Sequence, residues 1–322
     1  MKVGVLQFFS WSRRIPLVEV YARAFSRIEV MEQTGYDCVW LAEHHFNTYS
    51  VCPSTTLMGM QVAARTKRLR IGTAVTLAGF YHPLRLAEEL ALLDILSGGR
   101  LYWGAGRGYD ATEFRAFSVL PEESAERMRE CVEIVLAAFR DGRVNHRGKH
   151  WTFEDVEVLP KPLQRPHPPV WLAASSPESV VRAAESGFSI LMDPHSPHAE
   201  IGRKHALYRD TLASHGHEYA GREIPIARMI AVAPTDAGAI EVARAGAQWT
   251  LGSYAKMPGT PADPRAAVDR YVSEVVIHGS PQRMVDEIQA LRESIGLDSL
   301  MCAPLSHESF MLFTEQVLPK LG

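Results

Sequence analysis

Three short stretches of the 322-residue chain set chemically capable side chains at the ends of apolar runs. The first is VWLAEHHF at residues 39–46, where an apolar run stops at Glu43, His44 and His45. A metal needs three or four converging ligands, and adjacent side chains on an extended segment point to opposite sides. The pair therefore reads as acid–base or hydrogen-bonding groups, with no metal expected. His45 is the structural member, held by Glu43, and His44 is the one placed for proton chemistry. The second stretch is GAGRGYD at 104–110, in which glycines alternate around Arg107. Missing Cβ atoms let a flat ligand approach the backbone, and the guanidinium adds a permanent cation. A planar or phosphorylated cofactor would suit this, and a tight turn that needs glycine is the plainer alternative. The spacing is not GxGxxG and no acid follows in a Rossmann context, so the chain carries no nicotinamide site that its sequence supports. The third stretch is AASSPES at 173–179. Ser176 reads as a helix N-cap, and the N–H groups of the following turn with the serine hydroxyls make an anion pocket. Both roles can hold together.

These stretches need elements to position them. Apolar runs at 2–8, 38–41, 69–77, 100–103, 170–174, 188–192, 224–233 and 299–303 read as strands, and segments with helical spacing follow them. Strands that alternate with crossover helices imply a parallel sheet. Eight such units close into a (β/α)8 barrel, the TIM fold, whose chemistry sits at the carboxyl ends of its strands. The three stretches fall at the ends of the second, fourth and fifth strands. Two regions break the repeat. Residues 141–169, with HRGKHWTFEDVEVLPKPLQRPHPP, read as an excursion containing a β-hairpin. Residues 256–264, KMPGTPADP, read as a mobile loop bordering the site. A single domain over 1–322 is expected. Phe8, Phe46, Phe80, Tyr81 and Tyr109 are candidates for walls that keep water out, whereas Trp40 and Trp171 read as core.

Composition narrows the function. The chain is 46% hydrophobic and 22% charged, with a formal net charge of −3 and no basic cluster interleaved with aromatics, which gives no electrostatic reason to bind nucleic acid or anionic lipid. The four cysteines are far apart and form no CxxC, which argues against a zinc knuckle or a disulfide scaffold. No apolar run approaches the ~20 residues that span a bilayer, and MKVGVLQFF is too soon interrupted for a signal peptide. A cytoplasmic location is expected.

In this order VWLAEHHF, RLRIGTAVTL, HPLRLAEELALLDILSGGRL, GAGRGYDATEFRAF, VEVLPKPLQRPHPPVWLAASS and HGSPQRM occur along the chain. Together they resemble the bacterial luciferase-like flavin-dependent monooxygenase family, over nearly the whole chain and most densely from 36 to 176. The resemblance implies a TIM barrel with insertions. It implies reduced FMN, delivered by a separate NAD(P)H:flavin reductase, capture of O2 as a flavin C4a-hydroperoxide, and insertion of one oxygen atom into a small organic substrate. Some branches use a deazaflavin coenzyme instead, and luciferase heterodimers contain a non-catalytic partner subunit; both remain alternatives. By the same resemblance His44 is a catalytic base near flavin and substrate, and Ala74-Val75 a nonprolyl cis peptide behind the isoalloxazine. Arg107, Ser176 and Ser179 are phosphate contacts, and Arg127 a second phosphate arginine with Arg129 competing for that role. Gly106 and Ser175 occupy flavin-contacting positions, where the luciferase α chain has a cysteine and an acid, so light emission is not implied. A homodimer through the helices at 54–66 and 83–96 is expected, because both carry enough apolar residues for an obligate interface.

Overall fold

The computed structural model describes residues 1–12, 14–140, 142–253 and 263–322. Among them lie strands β1 (Lys2–Gln7), β2 (Cys38–Leu41), β3 (Arg70–Thr73), β4 (Leu101–Ala105), β5 (Val144–Arg147), β6 (Thr152–Val156), β7 (Val170–Ala174), β8 (Ser189–Met192), β9 (Pro225–Val232), β10 (Ile277–Gly279) and β11 (Ser299–Pro304). The helices are α1 (Leu17–Gln33), α2 (Thr55–Arg65), α3 (Pro83–Leu96), α4 (Ala111–Ala116), α5 (Ser124–Arg140), α6 (Pro177–Glu185), α7 (His198–Ser214), α8 (Asp236–Ser253), α9 (Pro264–Glu274), α10 (Pro281–Ile295) and α11 (His307–Leu312). Strands β1, β2, β3, β4, β7, β8, β9 and β11 neighbour one another in that order, all parallel, and β11 pairs back onto β1. The result is a closed eight-stranded barrel ringed by helices, a TIM barrel.

Burial explains why these strands are apolar at successive positions rather than alternate ones. Val39, Leu41, Ile71, Leu101, Trp103, Ile190 and Ile226 belong to the layer packed against the helices, whereas Trp40, Tyr102, Trp171, Leu191, Ala227, Met229 and Met301 fill the lumen. The Trp40 ring lies 6.0 Å from Tyr102 and 5.5 Å from Trp171, centroid to centroid. It fits there because two facing positions have no side chain: a Cβ on Gly4 would stand 2.9 Å from Trp40 Nε1, and one on Gly72 would overlap the indole. In register, Gly4 lies beside Cys38 and Gln7 beside Leu41, so β1 and β2 reach the mouth together.

The excursion contains the antiparallel hairpin β5–β6. Glu130 of α5 ties it down by accepting from the His150 and Trp151 amides at 3.1 and 2.9 Å. Four elements differ from the sequence expectation. Strand β3 stops at Thr73, short of Leu77; a cis Ala74–Val75 peptide follows, and a single parallel bridge from Thr76 to Ala105 lies beyond it. The three-residue β10 pairs along Ile230–Val232 of β9 as an extra strand outside the eight. The six-residue α4 is capped by Asp110, which accepts from the Thr112 amide at 2.6 Å. Helix α9 is capped by Asp263, and so takes the last two residues of the loop expected at 256–264; residues 256–262 lie outside the described residues. No helix among the described residues is long and apolar enough to cross a membrane.

Candidate functional site

A cavity of about 990 Å³ opens at the carboxyl ends of β1, β2, β3, β4, β7 and β8, a size at the upper end of ligand sites. His44, Ala74, Val75, Gly106, Arg107, Ser175, Ser176 and Ser179 all line it. Arg127 does not. Its Nε donates to the Gly79 carbonyl at 3.2 Å, and its guanidinium lies 4.9 Å above the Trp151 ring. Arg129, two residues along α5, does line the cavity. Residues i and i+2 face different sides of a helix, which accords with only Arg129 of the two lining it here.

The histidine pair is divided by its hydrogen bonds. The His44 amide donates to Cys52 O at 3.0 Å, which fixes the chain just past β2. His45 Nε2 lies 3.1 Å from Glu43 Oε1, and the Tyr81 hydroxyl donates to Glu43 Oε2 at 3.1 Å. Burial pushes the Glu43 carboxyl up, against the opposing pull of His45 and Tyr81. His44 turns instead to the cavity, packed among Phe8, Tyr49 and Tyr109 with ring separations of 6.3, 5.3 and 6.2 Å. Its Nδ1 is 3.8 Å from Oε1 of Glu113, a buried acid of α4 that the sequence reading passed over. Among the aromatics proposed as walls, Phe8 and Tyr109 line the cavity. Phe80 packs on Phe114 and Phe117 beside it, and Tyr81 is spent on Glu43.

Other parts of the lining suit an anion and a flat body. Ser176 caps α6: its Oγ accepts from the Ser179 amide at 3.3 Å, and Ser179 Oγ accepts from the Ser176 amide at 3.0 Å. The N-terminal turn of α6 thus lines the cavity together with Arg182, one turn on, and Arg107, a set of groups that suits a phosphate. Arg107 Nη1 donates to Ser124 Oγ at 3.3 Å. The Ala74–Val75 segment and Gly106 meet in another part of the lining. A Cβ at Gly106 would run into Val75 Cγ2, so glycine is what lets the two segments close up. Leu6, Leu172, Leu191, Met192, Ala227 and Met301 supply apolar lining.

A further part of the lining is the loop after β8. Asp193 Oδ1 accepts from the His195 and Ser196 amides at 3.0 and 2.7 Å. Beneath it Arg228, with no exposed surface, donates to Ser196 O at 2.7 Å. Lys204 Nζ lies 2.6 Å from Glu200 Oε1 and 3.6 Å from Asp193 Oδ2. Burial pushes the Arg228 guanidinium down to about 10, against the pull of Asp193. Burial pushes the Asp193 carboxyl up, but Lys204 and Arg228 outweigh it and leave the group below its ordinary value. Burial also drives His195 down, with Asp193 opposing and Arg228 and His44 adding to the fall. The signal in the sequence was MDPHSPH directly after the sixth strand, an acid and two prolines that make a turn. Among the described residues no group of histidines, cysteines and acids is arranged to hold a metal, and all four cysteines are buried free thiols.

A family model described as luciferase-like monooxygenase matches residues 1–299. The oxygenase component of a flavin-dependent trigonelline monooxygenase from Acinetobacter baylyi is 32% identical over 180 residues, 55% of this chain and 49% of that protein. The chain spans about half the length of the first curated relatives it matches. Two solved structures share the fold at 19% identity. One is the FMN complex of the oxygenating constituent of 3,6-diketocamphane monooxygenase from Pseudomonas putida, with a TM-score of 0.83 over 100% of this chain and 99% of that one. The other is an F420-dependent secondary alcohol dehydrogenase, with a TM-score of 0.80 over the same shares.

Proposed function

This chain belongs to the luciferase-like monooxygenase family, and from that premise we propose that it is the oxygenase component of a two-protein system, using reduced FMN and O2 to insert one oxygen atom into a small organic substrate. One observation carries the reading: His44, the Ala74–Val75 and Gly106 wall, and the α6 N-terminus with Arg107 line a single cavity. Reduced FMN, when bound, supplies the electrons that activate dioxygen. The rest is work for the chain. Ser175, Ser176, Ser179, Arg107, Arg129 and Arg182 would hold the FMN phosphate. The wall of Ala74, Val75 and Gly106 accepts the flat face of the ring. Phe8, Tyr109 and the apolar lining exclude water, which suppresses proton leakage. His44 takes or gives a proton at Nε2 while Nδ1 is turned toward Glu113.

With no nicotinamide site in its sequence, the chain receives its reduced flavin from a separate NAD(P)H:flavin reductase. It pairs with a second copy of itself through α2 and α3, which expose Leu57, Leu92, Ile95 and Leu96. The second reading is a deazaflavin-dependent oxidoreductase, favoured by the fold it shares with the F420-dependent dehydrogenase. Equilibrium binding of reduced FMN and of reduced F420, followed by turnover under 18O2 with a substrate panel, separates them. The expected result is reduced-FMN binding and one labelled atom in the product. Binding of F420 alone, with hydride transfer and no label, would establish the second reading. FMN binding with no labelled product from any substrate would make the chain a non-catalytic partner subunit.

A further inference from the structure

We propose that Glu43 is a positioning residue: through His45, Thr55 and Thr76 it sets how far His44 stands from the Val75 and Gly106 wall. The inference takes its catalytic meaning from the monooxygenase reading and adds a residue which that reading does not use. Glu43 directly precedes the proton-handling histidine and is 2% exposed. Taking a carboxyl out of water is costly unless hydrogen bonds replace the lost solvent. The groups gathered around it show what its burial achieves.

Those groups come from three segments. His45 Nε2 lies 3.1 Å from Oε1. Tyr81, two residues before α3, donates its hydroxyl to Oε2 at 3.1 Å. Burial, with the Glu43 charge adding to it, pushes the Tyr81 phenol up, so it keeps the proton it donates. Thr55, the first residue of α2, donates to the same oxygen at 3.4 Å. A hydroxyl has only one proton. With the Thr55 proton directed to Glu43, the Thr76 hydroxyl, 3.1 Å away, is the donor between the two threonines. Both threonines are buried. A relay therefore runs from Thr76 through Thr55 to Glu43.

Thr76 is where the relay meets the wall. It follows Val75, its amide donates to Gly104 O at 2.8 Å, and its carbonyl accepts the Gly106 amide at 2.9 Å. The backbone ladder between β2 and β3 ends at Leu41 and Thr73, with one more bond from the Ala74 amide to Leu41 O at 2.8 Å. Past that point one chain carries His44 and the other Val75, and Glu43 joins the two through side chains. Glu43, His44, Val75 and Gly106 line the cavity, whereas His45, Thr55, Thr76 and Tyr81 stand behind the lining. A buried support of this kind holds reacting groups in place, and a shift of ~1 Å between such groups can cost ~100-fold in rate.

The test uses the full-length protein and compares Thr55→Val, Glu43→Ala and Glu43→Gln. Thr55→Val cuts the relay but leaves His45 and Tyr81 on Glu43. In flavin-free protein, NMR signals of the Val75 methyls and the Gly106 amide should move in Thr55→Val while the His45 ring signals stay. Glu43→Ala should move all of them. A second measurement follows one turnover of bound reduced FMN in air, which gives FMN and H2O2. His44→Ala should change that rate by a factor that shrinks ~2-fold or more in the Glu43→Ala and Thr55→Val backgrounds, as expected of residues in one network. Glu43→Gln, which keeps a carbonyl oxygen for Tyr81 and Thr55, should restore part of the factor. A residue that only stabilises the fold would leave the His44→Ala factor unchanged. Unmoved Val75 and Gly106 signals in Thr55→Val, or factors that multiply independently, would overturn the proposal. If Glu43→Ala does not fold, Thr55→Val decides by the same two measurements. A wild-type chain that fails to bind reduced FMN would sink the flavin reading, and the flavin-free spectra would still decide whether Glu43 sets the spacing.

Discussion

Oε1 of Glu113 stands 3.8 Å from His44 Nδ1 and accepts the amide of His45 at 2.9 Å. One carboxylate from α4 therefore holds both the ring and the backbone of the segment that ends β2. If His44 handles the proton, His44→Ala should lower turnover by ~10²–10⁴ while reduced-FMN affinity stays near wild type. Glu113→Gln keeps an acceptor for the His45 amide and removes the charge, so it should lower turnover by less, ~10-fold. In the double variant the losses should not add, as for groups that act as a unit. Steady-state assays and flavin titrations of the three variants are the check, and unchanged turnover in His44→Ala would remove it from the mechanism.

Arg107→Ala should weaken reduced-FMN binding by ~1.5–3 kcal/mol, the range for a hydrogen bond to a charged group. Arg129→Ala should weaken it as well. Arg127→Ala should not act through the phosphate, because that side chain is committed to Gly79 and Trp151. Anaerobic titrations rank the three, and a larger loss in Arg127→Ala than in Arg129→Ala would reverse the assignment.

The apolar side chains that α2 and α3 show to solvent predict a dimer. Leu57 is 71% exposed and Leu96 56% exposed, a pattern expected of an interface rather than of a lone surface. Light scattering should give a dimer mass for the wild-type chain. Leu57→Glu combined with Leu96→Glu should give a monomer mass, and a wild-type monomer would end the idea.

Acid should destabilise the fold through buried histidines. Burial, with Arg228 adding to it, holds His198 down to about 4, below its ordinary 6.5. Between those values the unfolded chain binds a proton that the folded chain does not, so stability falls as pH drops from about 6.5 toward 4, by about 3 kcal/mol for a shift of this size. Above 6.5 this group contributes no slope. His195 acts in the same direction. Neither ring nitrogen of His198 has a hydrogen-bond partner among the described residues, so His198→Phe breaks no bond and should flatten the dependence. Urea midpoints at pH 7 and 4.5 read it, and an equal drop in both proteins would refute the assignment.

Much of the barrel can be read from the chain because each strand buries both faces. Val39 and Leu41 pack outward and Trp40 inward, which leaves a continuous apolar run that ends where the chemistry begins. The ends of the second, fourth and fifth strands were legible for the same reason. Phase within a helix was harder: Arg127 and Arg129 differ by two residues, and neighbouring groups, not spacing, decide which one turns to the cavity. Helix α9 was hidden because it begins at Pro264, the last residue of PADP, where prolines and a glycine suggest only loop.

The stack of Trp40, Tyr102 and Trp171 lies upstream of the mouth on three parallel strands, and it works as a plug. With the floor filled by aromatic rings, a ligand would have to enter and leave by the loop side of the barrel, where the cavity lies.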